Sequence, residues 1–209
     1  MKFEELRQKA MSYPVFASND ILKWFPKSKE SILKVQLNLW VKKGYLQKVK
    51  RGLFHLAEVE IEDNFYLAEK ILSPSYISLE SALNYYSIIP DIPFIVTCLT
   101  PLTTRNFTTN SGQYNYHHIK KEYFFGWQTI YEHNKKFFYN IACPEKALLD
   151  FVYFNLSRFK NMQGIEEERL YFEKDFLWGK FLKMSKMFKN EKIYQAAKNL
   201  KKLYEQDKI

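Results

Sequence analysis

The sequence predicts an α+β chain in two parts, and three observations carry that prediction. Residues 1–60 show short stretches of helical periodicity followed by two short stretches of strand periodicity, punctuated by Pro14, Pro26, Gly44 and Gly52. Residues 94–142 are rich in β-branched and aromatic residues, and helical periodicity returns towards the end. The charge is also divided. The chain of 209 residues carries 32 Lys and Arg against 23 Asp and Glu, a net +9. Residues 18–56 hold nine cations and two acids (+7), residues 57–156 seven and eleven (−4), and residues 177–209 nine and three (+6). The expected organisation is a first domain over residues 1–60 and a mixed α/β domain with a mostly antiparallel sheet, ending in basic helices, over residues 64–209.

Composition narrows the classes. A hydrophobic share of 46% is enough to bury a core, and 6 Gly with 7 Pro exclude a fibrous or low-complexity chain. No uncharged apolar run approaches the roughly 18 residues of a membrane span. The opening MKFEELRQKA lacks the apolar segment of a secretory leader, so a cytoplasmic protein is expected. Cys98 and Cys143 are too few for a disulfide scaffold or zinc cluster and read as small buried residues. Only five of the 32 basic residues are arginine, and Lys, Asn, Ile, Phe and Tyr are plentiful, as an A·T-rich genome produces without selection. The position of the cations therefore says more than their number.

The first helix is expected over Lys2–Ser12, with Phe3, Leu6, Ala10 and Met11 at helical spacing. Pro14 stops it, and Pro14-Val15-Phe16 is extended. Ser18 is placed to cap a second helix carrying Ile21, Leu22 and Phe25, which Pro26 closes. Ser28 is placed to cap a third, which runs to about Lys43 and ends at Gly44. Unrolled at about 100° per residue, Ile32, Leu33, Val35, Leu37, Leu39 and Trp40 fall on one half of that helix. Glu30, Ser31, Lys34, Asn38 and Lys42, with Lys27 if the helix extends to it, form the polar side, and Lys27, Ser28, Ser31, Lys34, Asn38 and Lys42 are the candidate contacts to base edges and phosphates. Two alternating pieces follow, Tyr45–Val49 and Leu53–Leu56, joined by a turn in which Gly52 suits positive φ. The order helix, helix, helix, strand, basic turn, strand is that of a winged helix-turn-helix. Its third helix is expected in a major groove, and its wing (Lys48, Lys50, Arg51 and Gly52) along the backbone or in the minor groove. A lysine-lined amphipathic helix by itself is more often a solvated surface. It is the coincidence of helix order, glycine stop, basic turn and the +7 segment that points to double-stranded DNA.

Glu58–Asp63 is acidic and reads as a linker. Phe65–Leu72 is expected as a helix ended by Pro74, and Ser78 as the cap of another helix through Tyr86 with Glu80 in its first turn. Phe94–Thr100 is expected as a central strand, and residues 104–141 as several strands with Tyr114, Tyr116, Ile119, Tyr123, Phe125 and Trp127 at hairpin spacing. Pro144 opens a helix continuing through Leu156, and two further helices are expected at about 166–188 and 190–206.

Two segments in this part resemble a known family. Pro74-Ser75-Tyr76-Ile77-Ser78-Leu79-Glu80-Ser81-Ala82-Leu83-Asn84-Tyr85-Tyr86 and Ile141-Ala142-Cys143-Pro144-Glu145-Lys146-Ala147-Leu148-Leu149-Asp150, behind the Lys50-Arg51-Gly52-Leu53-Phe54 turn, are similar to the AbiEi family. These are antitoxins and transcriptional regulators of type IV toxin–antitoxin systems linked to abortive phage infection. The resemblance covers residues 10–156. It implies a repressor that binds repeated sites in its own promoter through the N-terminal domain. It also implies a C-terminal domain that antagonises a nucleotidyltransferase-like toxin without a stable complex. Read physically, the two segments are structural: Ser78 caps, Leu79, Ala82, Leu83, Leu148 and Leu149 pack, and Lys146 pairs with Asp150 at i,i+4.

Signals for catalysis are sparse, and no cofactor or metal is expected. His117 and His118 are neighbours on an expected strand and point to opposite faces. His55 lies on the wing and His133 in a polar turn. No HExxH, P-loop or GxSxG occurs. Thr103-Thr104-Arg105 with Thr108-Thr109 reads as a hydroxyl-rich turn in preference to a phosphate site. In the last helices, Leu177, Phe181, Met184 and Phe188 form an apolar stripe, and so do Ile193, Ala196 or Ala197, Leu200 and Leu203. Lys180, Lys183, Lys186, Lys198, Lys201 and Lys202 lie beside these stripes, as a solvated face or a second surface for nucleic acid or an acidic partner. The leading expectation is thus a DNA-binding repressor and antitoxin that is not an enzyme. The alternatives are a winged-helix transcription factor whose second domain senses a ligand or partner, and, more remotely, an enzyme with an unrecognised site.

Overall fold

The computed structural model describes residues 1–61, 63–132 and 137–206, so Glu62 of the acidic linker, His133 of the expected turn and the last three residues lie outside the description. The chain is α+β. It begins with α1 (Phe3–Ala10), β1 (Phe16–Ala17), α2 (Ser18–Trp24), α3 (Glu30–Lys42), β2 (Leu46–Lys50) and β3 (Leu53–Leu56). These strands form a small antiparallel sheet in the order β1-β3-β2. Leu6 and Ala10 of α1, Phe16, Ile21, Leu33, Leu37, Trp40, Leu46, Phe54 and Leu56 bury together as its core.

The expected helix caps are corrected. Ser18 is already helical and caps nothing. Asp20 reaches back instead, accepting the Ala17 N–H at 2.9 Å. Ser28 sits in the turn before α3, where its N–H donates to the Phe25 carbonyl, and Lys29 occupies the cap position without a side-chain bond. A cap must be the last non-helical residue, and Ser18 falls one position too late for that and Ser28 one too early. Lys43 closes α3, and Gly44 takes φ +74°, the conformation that ends a helix with least strain when no Cβ is present.

The second part continues with α4 (Asn64–Ile71), β4 (Tyr76–Ile77), α5 (Leu79–Tyr85), β5 (Ile95–Thr100), β6 (Arg105–Thr109), β7 (Gly112–His118), β8 (Trp127–Glu132), β9 (Phe137–Ala142), α6 (Pro144–Phe154), α7 (Met162–Glu167), α8 (Trp178–Met187) and α9 (Glu191–Glu205). Its six strands run β6-β7-β5-β4-β9-β8. The hairpins β6–β7 and β8–β9 and the pair β4–β5 are antiparallel, while β5–β7 and β4–β9 are parallel, so the sheet is mixed. Alternation along β7 sorts its two faces. The Tyr116 hydroxyl donates to the Ala68 carbonyl at 2.7 Å and that of Tyr114 to Asn64 Oδ1 at 3.1 Å, so α4 covers one face. His117, on the opposite face, meets Phe154 at the end of α6 with ring centroids 5.6 Å apart. Asp63 caps α4, accepting from the N–H groups of Phe65 and Tyr66. The expected long helix over 166–188 is two helices. Arg169 turns to φ +49°, and the segment before α8 is irregular, its Phe172 and Phe176 packed with Trp178 in an aromatic cluster. No helix among the described residues is long and apolar enough to cross a membrane.

A single buried polar group ties the centre together. Lys146 and Asp150, one turn apart on α6, are ion-paired and fully buried. Asp150 Oδ2 also accepts from the Tyr76 hydroxyl at 3.0 Å and from Ser78 Oγ at 2.8 Å, and Lys146 Nζ donates to the Tyr76 oxygen at 2.8 Å. The Ser78 hydroxyl is therefore spent on Asp150 and does not cap α5, a further correction. The ammonium lies 5.1–5.4 Å from the ring centres of Phe125, Tyr76 and Phe188. Burial pulls the lysine pKa down and pushes the aspartate's up, and their mutual attraction opposes both shifts. Removing one partner strands a charge without water. Asp150→Ala is expected to cost about 3–5 kcal/mol in urea unfolding, whereas Lys146→Met combined with Asp150→Leu restores most of that loss. A loss below about 1 kcal/mol for Asp150→Ala, the range of a solvent-exposed pair, contradicts this assignment.

Candidate nucleic-acid interface

The polar side of α3 faces water. Lys27, in the turn before the helix, and Ser31, Lys34, Asn38 and Lys42 on it are exposed, and Ser28 is half-buried. Lys34 is not a free cation. Its Nζ lies 2.7 Å from Glu30 Oε1, an exposed i,i+4 pair that holds the glutamate's pKa below its ordinary value. The opposite side corrects the expectation. Leu33, Leu37 and Trp40 are buried, but Ile32, Val35 and Leu39 are 55%, 68% and 47% exposed. Only a narrow sector of α3 meets the small N-terminal core, because a unit of three short helices and a three-stranded sheet has no further layer to cover the rest.

The turn after α3 is split in the same way. Lys48 and Arg51 are exposed. Gly52 adopts φ +79°, and its carbonyl accepts the Ser18 N–H at 3.0 Å, which fixes the turn against the start of α2. Lys50 departs from the expected wing. The register of β2 shifts between Lys48 and Lys50, a bulge that re-aims the side chains around it. Lys50 turns inward, donates to the Ile71 carbonyl at the end of α4, and lies 5.4 Å from the Phe107 ring centre. Burial lowers its pKa, and the nearby charge of Arg105 lowers it further. Arg105, exposed on the edge strand β6, thus brings a cation from the six-stranded sheet close to the turn. The local sequence places Arg105 in a threonine-rich turn; its position near the β2–β3 turn depends on how the two sheets meet. His55 is buried on β3, its Nδ1 2.9 Å from the Leu56 carbonyl, and burial lowers its pKa.

The two cores also meet here. Val15, Val49 and Leu53 belong to the larger cluster, together with Tyr66, Leu67 and Ile71 of α4. The N-terminal unit is therefore packed directly onto the second part.

The C-terminal lysines have different surroundings. Lys180 Nζ pairs with the buried Glu145 at 2.8 Å, and Lys201 pairs with Glu205 at 3.2 Å. Lys186 and Lys198 lie 5.2 and 5.3 Å from the ring centre of Tyr194, while Lys183 and Lys202 stand exposed. Leu177, expected in the apolar stripe, is exposed, and its N–H donates to Glu145 Oε1; Phe181 and Phe188 do bury. The threonines at either end of β6 are used locally: Thr109 Oγ1 closes the β6–β7 turn, and Oγ1 of Thr104, just before the strand, accepts the His118 N–H at 3.0 Å. Among the described residues, no three His, Cys, Asp or Glu side chains gather as a metal site.

In chemical terms, the arrangement around α3 and its following turn offers an exposed helix with hydroxyl, amide and ammonium groups, flanked by cations on a tight turn. No protein-family model matches the chain, and no curated protein matches it.

The Glu145–Lys180 pair gives a pH prediction. Burial alone would raise the Glu145 pKa, but Lys180 and local hydrogen bonds outweigh it, so the carboxyl ends below its usual 4.5. A lowered carboxylate pKa contributes stability above its unfolded value and loses it as pH falls through the folded one. Lys180→Ala is therefore expected to cost about 1 kcal/mol near neutral pH, a modest value because the lysine is partly in water. The difference from the parent should vanish as the pH falls below about 4.5, measured by urea unfolding across pH. A constant difference across that range contradicts the pairing.

Proposed function

We propose that residues 1–60 act as a winged helix-turn-helix that binds duplex DNA, and that the chain is a transcriptional repressor of its own operon. One observation carries the proposal. The element order helix, strand, helix, helix, strand, strand coincides with a third helix exposing Ser31, Lys34, Asn38 and Lys42, with Lys27 in the turn before it, and with a hairpin exposing Lys48 on β2 and Arg51 in its tight turn. The segment holding them carries +7. In this geometry the helix meets base edges and the turn meets phosphates. Lys50 is left out of the interface and serves the packing of the turn.

The resemblance to the AbiEi family extends the proposal. The second part then acts as the antitoxin against a nucleotidyltransferase-like toxin encoded beside it, with no stable complex required. The two resembling segments converge on the Lys146–Asp150 group, which supports a shared scaffold and assigns no chemistry to it. A second reading, a transcription factor with a ligand- or partner-sensing domain and no toxin, draws on a different feature. A cleft lined by Leu79, Pro93, Ile95, His117 and Phe154 opens beside the fully exposed Phe94. Presence or absence of an adjacent nucleotidyltransferase reading frame separates the two.

Footprinting of full-length protein on the region upstream of its own gene tests DNA binding. Asn38→Ala is expected to weaken the protected site about tenfold or more and to blur its boundaries. Arg51→Ala is expected to weaken all duplexes alike and to reduce the salt slope of log K by about 0.9. Lys50→Ala is expected to lower thermal stability and leave the salt slope unchanged. Unaltered mobility shifts for Asn38→Ala and Arg51→Ala alike overturn the proposal.

A further inference from the structure

Ile32, Val35 and Leu39 form an exposed stripe along α3, spaced i, i+3 and i+7, away from the core-facing Leu33, Leu37 and Trp40. Three large apolar side chains in line on one surface helix mark a contact surface in preference to scattered exposure. The surroundings select the occupant. Ser31, Asn38 and Lys42 border the stripe along the same helix, Lys27 and Arg51 stand exposed in nearby turns, and Lys48 is exposed on β2. The one acid of α3, Glu30, is already paired with Lys34. A second copy placed face to face would bring these cations against their own kind, whereas a polyanion is attracted to them.

The major groove of a polyanion of that kind presents one apolar group, the C5-methyl of thymine. Asn38, one turn from both Lys34 and Lys42, carries the amide whose donor and acceptor match N7 and the N6 amine of adenine, thymine's pairing partner. Resting on the DNA-binding proposal above, we propose that α3 recognises thymine methyl groups through Ile32, Val35 and Leu39, with Asn38 reading an adjacent adenine. The selected site then has A·T pairs under the middle of the helix, and its specificity is partly apolar and insensitive to salt.

The test uses full-length protein and a duplex of about three helical turns taken from the protected upstream region. Thymines are replaced one at a time by deoxyuridine, which keeps the pairing edge and O4 and lacks only the methyl. At the few positions under α3, each replacement is expected to weaken binding roughly fourfold, the equivalent of one methyl group returned to water. In Val35→Ser or Leu39→Ser, the loss at one of those positions should disappear, because the apolar wall it packs on is gone. Both residues are exposed, so thermal melting should show the variants folded as the parent is. Equal binding of every deoxyuridine duplex overturns the thymine assignment and leaves DNA binding standing. Failure to retard any duplex at low salt overturns both. A parent that sediments as a dimer, and a Val35→Ser variant that sediments as a monomer, would assign the stripe to a second copy and overturn the inference.

Discussion

The ion pair of Lys146 and Asp150 is the constraint on which the second part of the molecule depends. Two opposite charges without water stay together only if every remaining donor and acceptor is met. Tyr76 on β4 and Ser78 just after it supply hydrogen bonds to the pair. That requirement fixes the rotation of α6 about its own axis and the depth at which it lies against β4. Phe125 and Phe188 close over the ammonium, drawing in the segment before β8 and the end of α8. Gly126 marks how tight the fit is: a Cβ there would come within 3.0 Å of the Lys146 side chain. Hydrophobic burial supplies most of the stabilisation in such a core, but the polar group decides which arrangement of the helices is acceptable.

Positioned by that group, the sheet fixes the N-terminal unit in turn. Its hairpins carry Tyr114 and Tyr116 to α4, and the end of α4 offers the Ile71 carbonyl to Lys50. Val15, Val49 and Leu53 fill the same junction. The exposed face of α3 and the turn after β2 are consequently presented from a surface continuous with the large core.

Much of this was legible in the sequence, for identifiable reasons. The elements of residues 1–60 were readable because proline and glycine punctuate them, and the i,i+4 spacing of Lys146 and Asp150 announced their pairing. Four expectations fail on information that is not local. Serines at helix starts suggest caps, but Asp20 and the turn geometry take priority at two of them and Asp150 claims the third. The apolar half of α3 reads as a core face, although how much of a helix is buried depends on how many layers lie beneath it. Lys50 was placed with Lys48 and Arg51 because the three are near neighbours in sequence; the bulge and the Ile71 carbonyl separate them in space. The single helix expected over 166–188 failed because Phe172 and Phe176 fit a helical period equally well while packing from an irregular segment.

The tether between Lys50 and α4 has a consequence for orientation. A recognition unit on a flexible linker must surrender its freedom to tumble each time it docks, and that lost freedom opposes binding. Here the freedom is surrendered once, when the chain folds, by a lysine that gives up its own place at the surface to hold its neighbours still. The angle between the exposed helix and the six-stranded sheet is then a fixed property of the molecule, as a compass needle soldered to its case would be. Under the DNA-binding proposal, any site read by α3 also dictates which way the rest of the protein points.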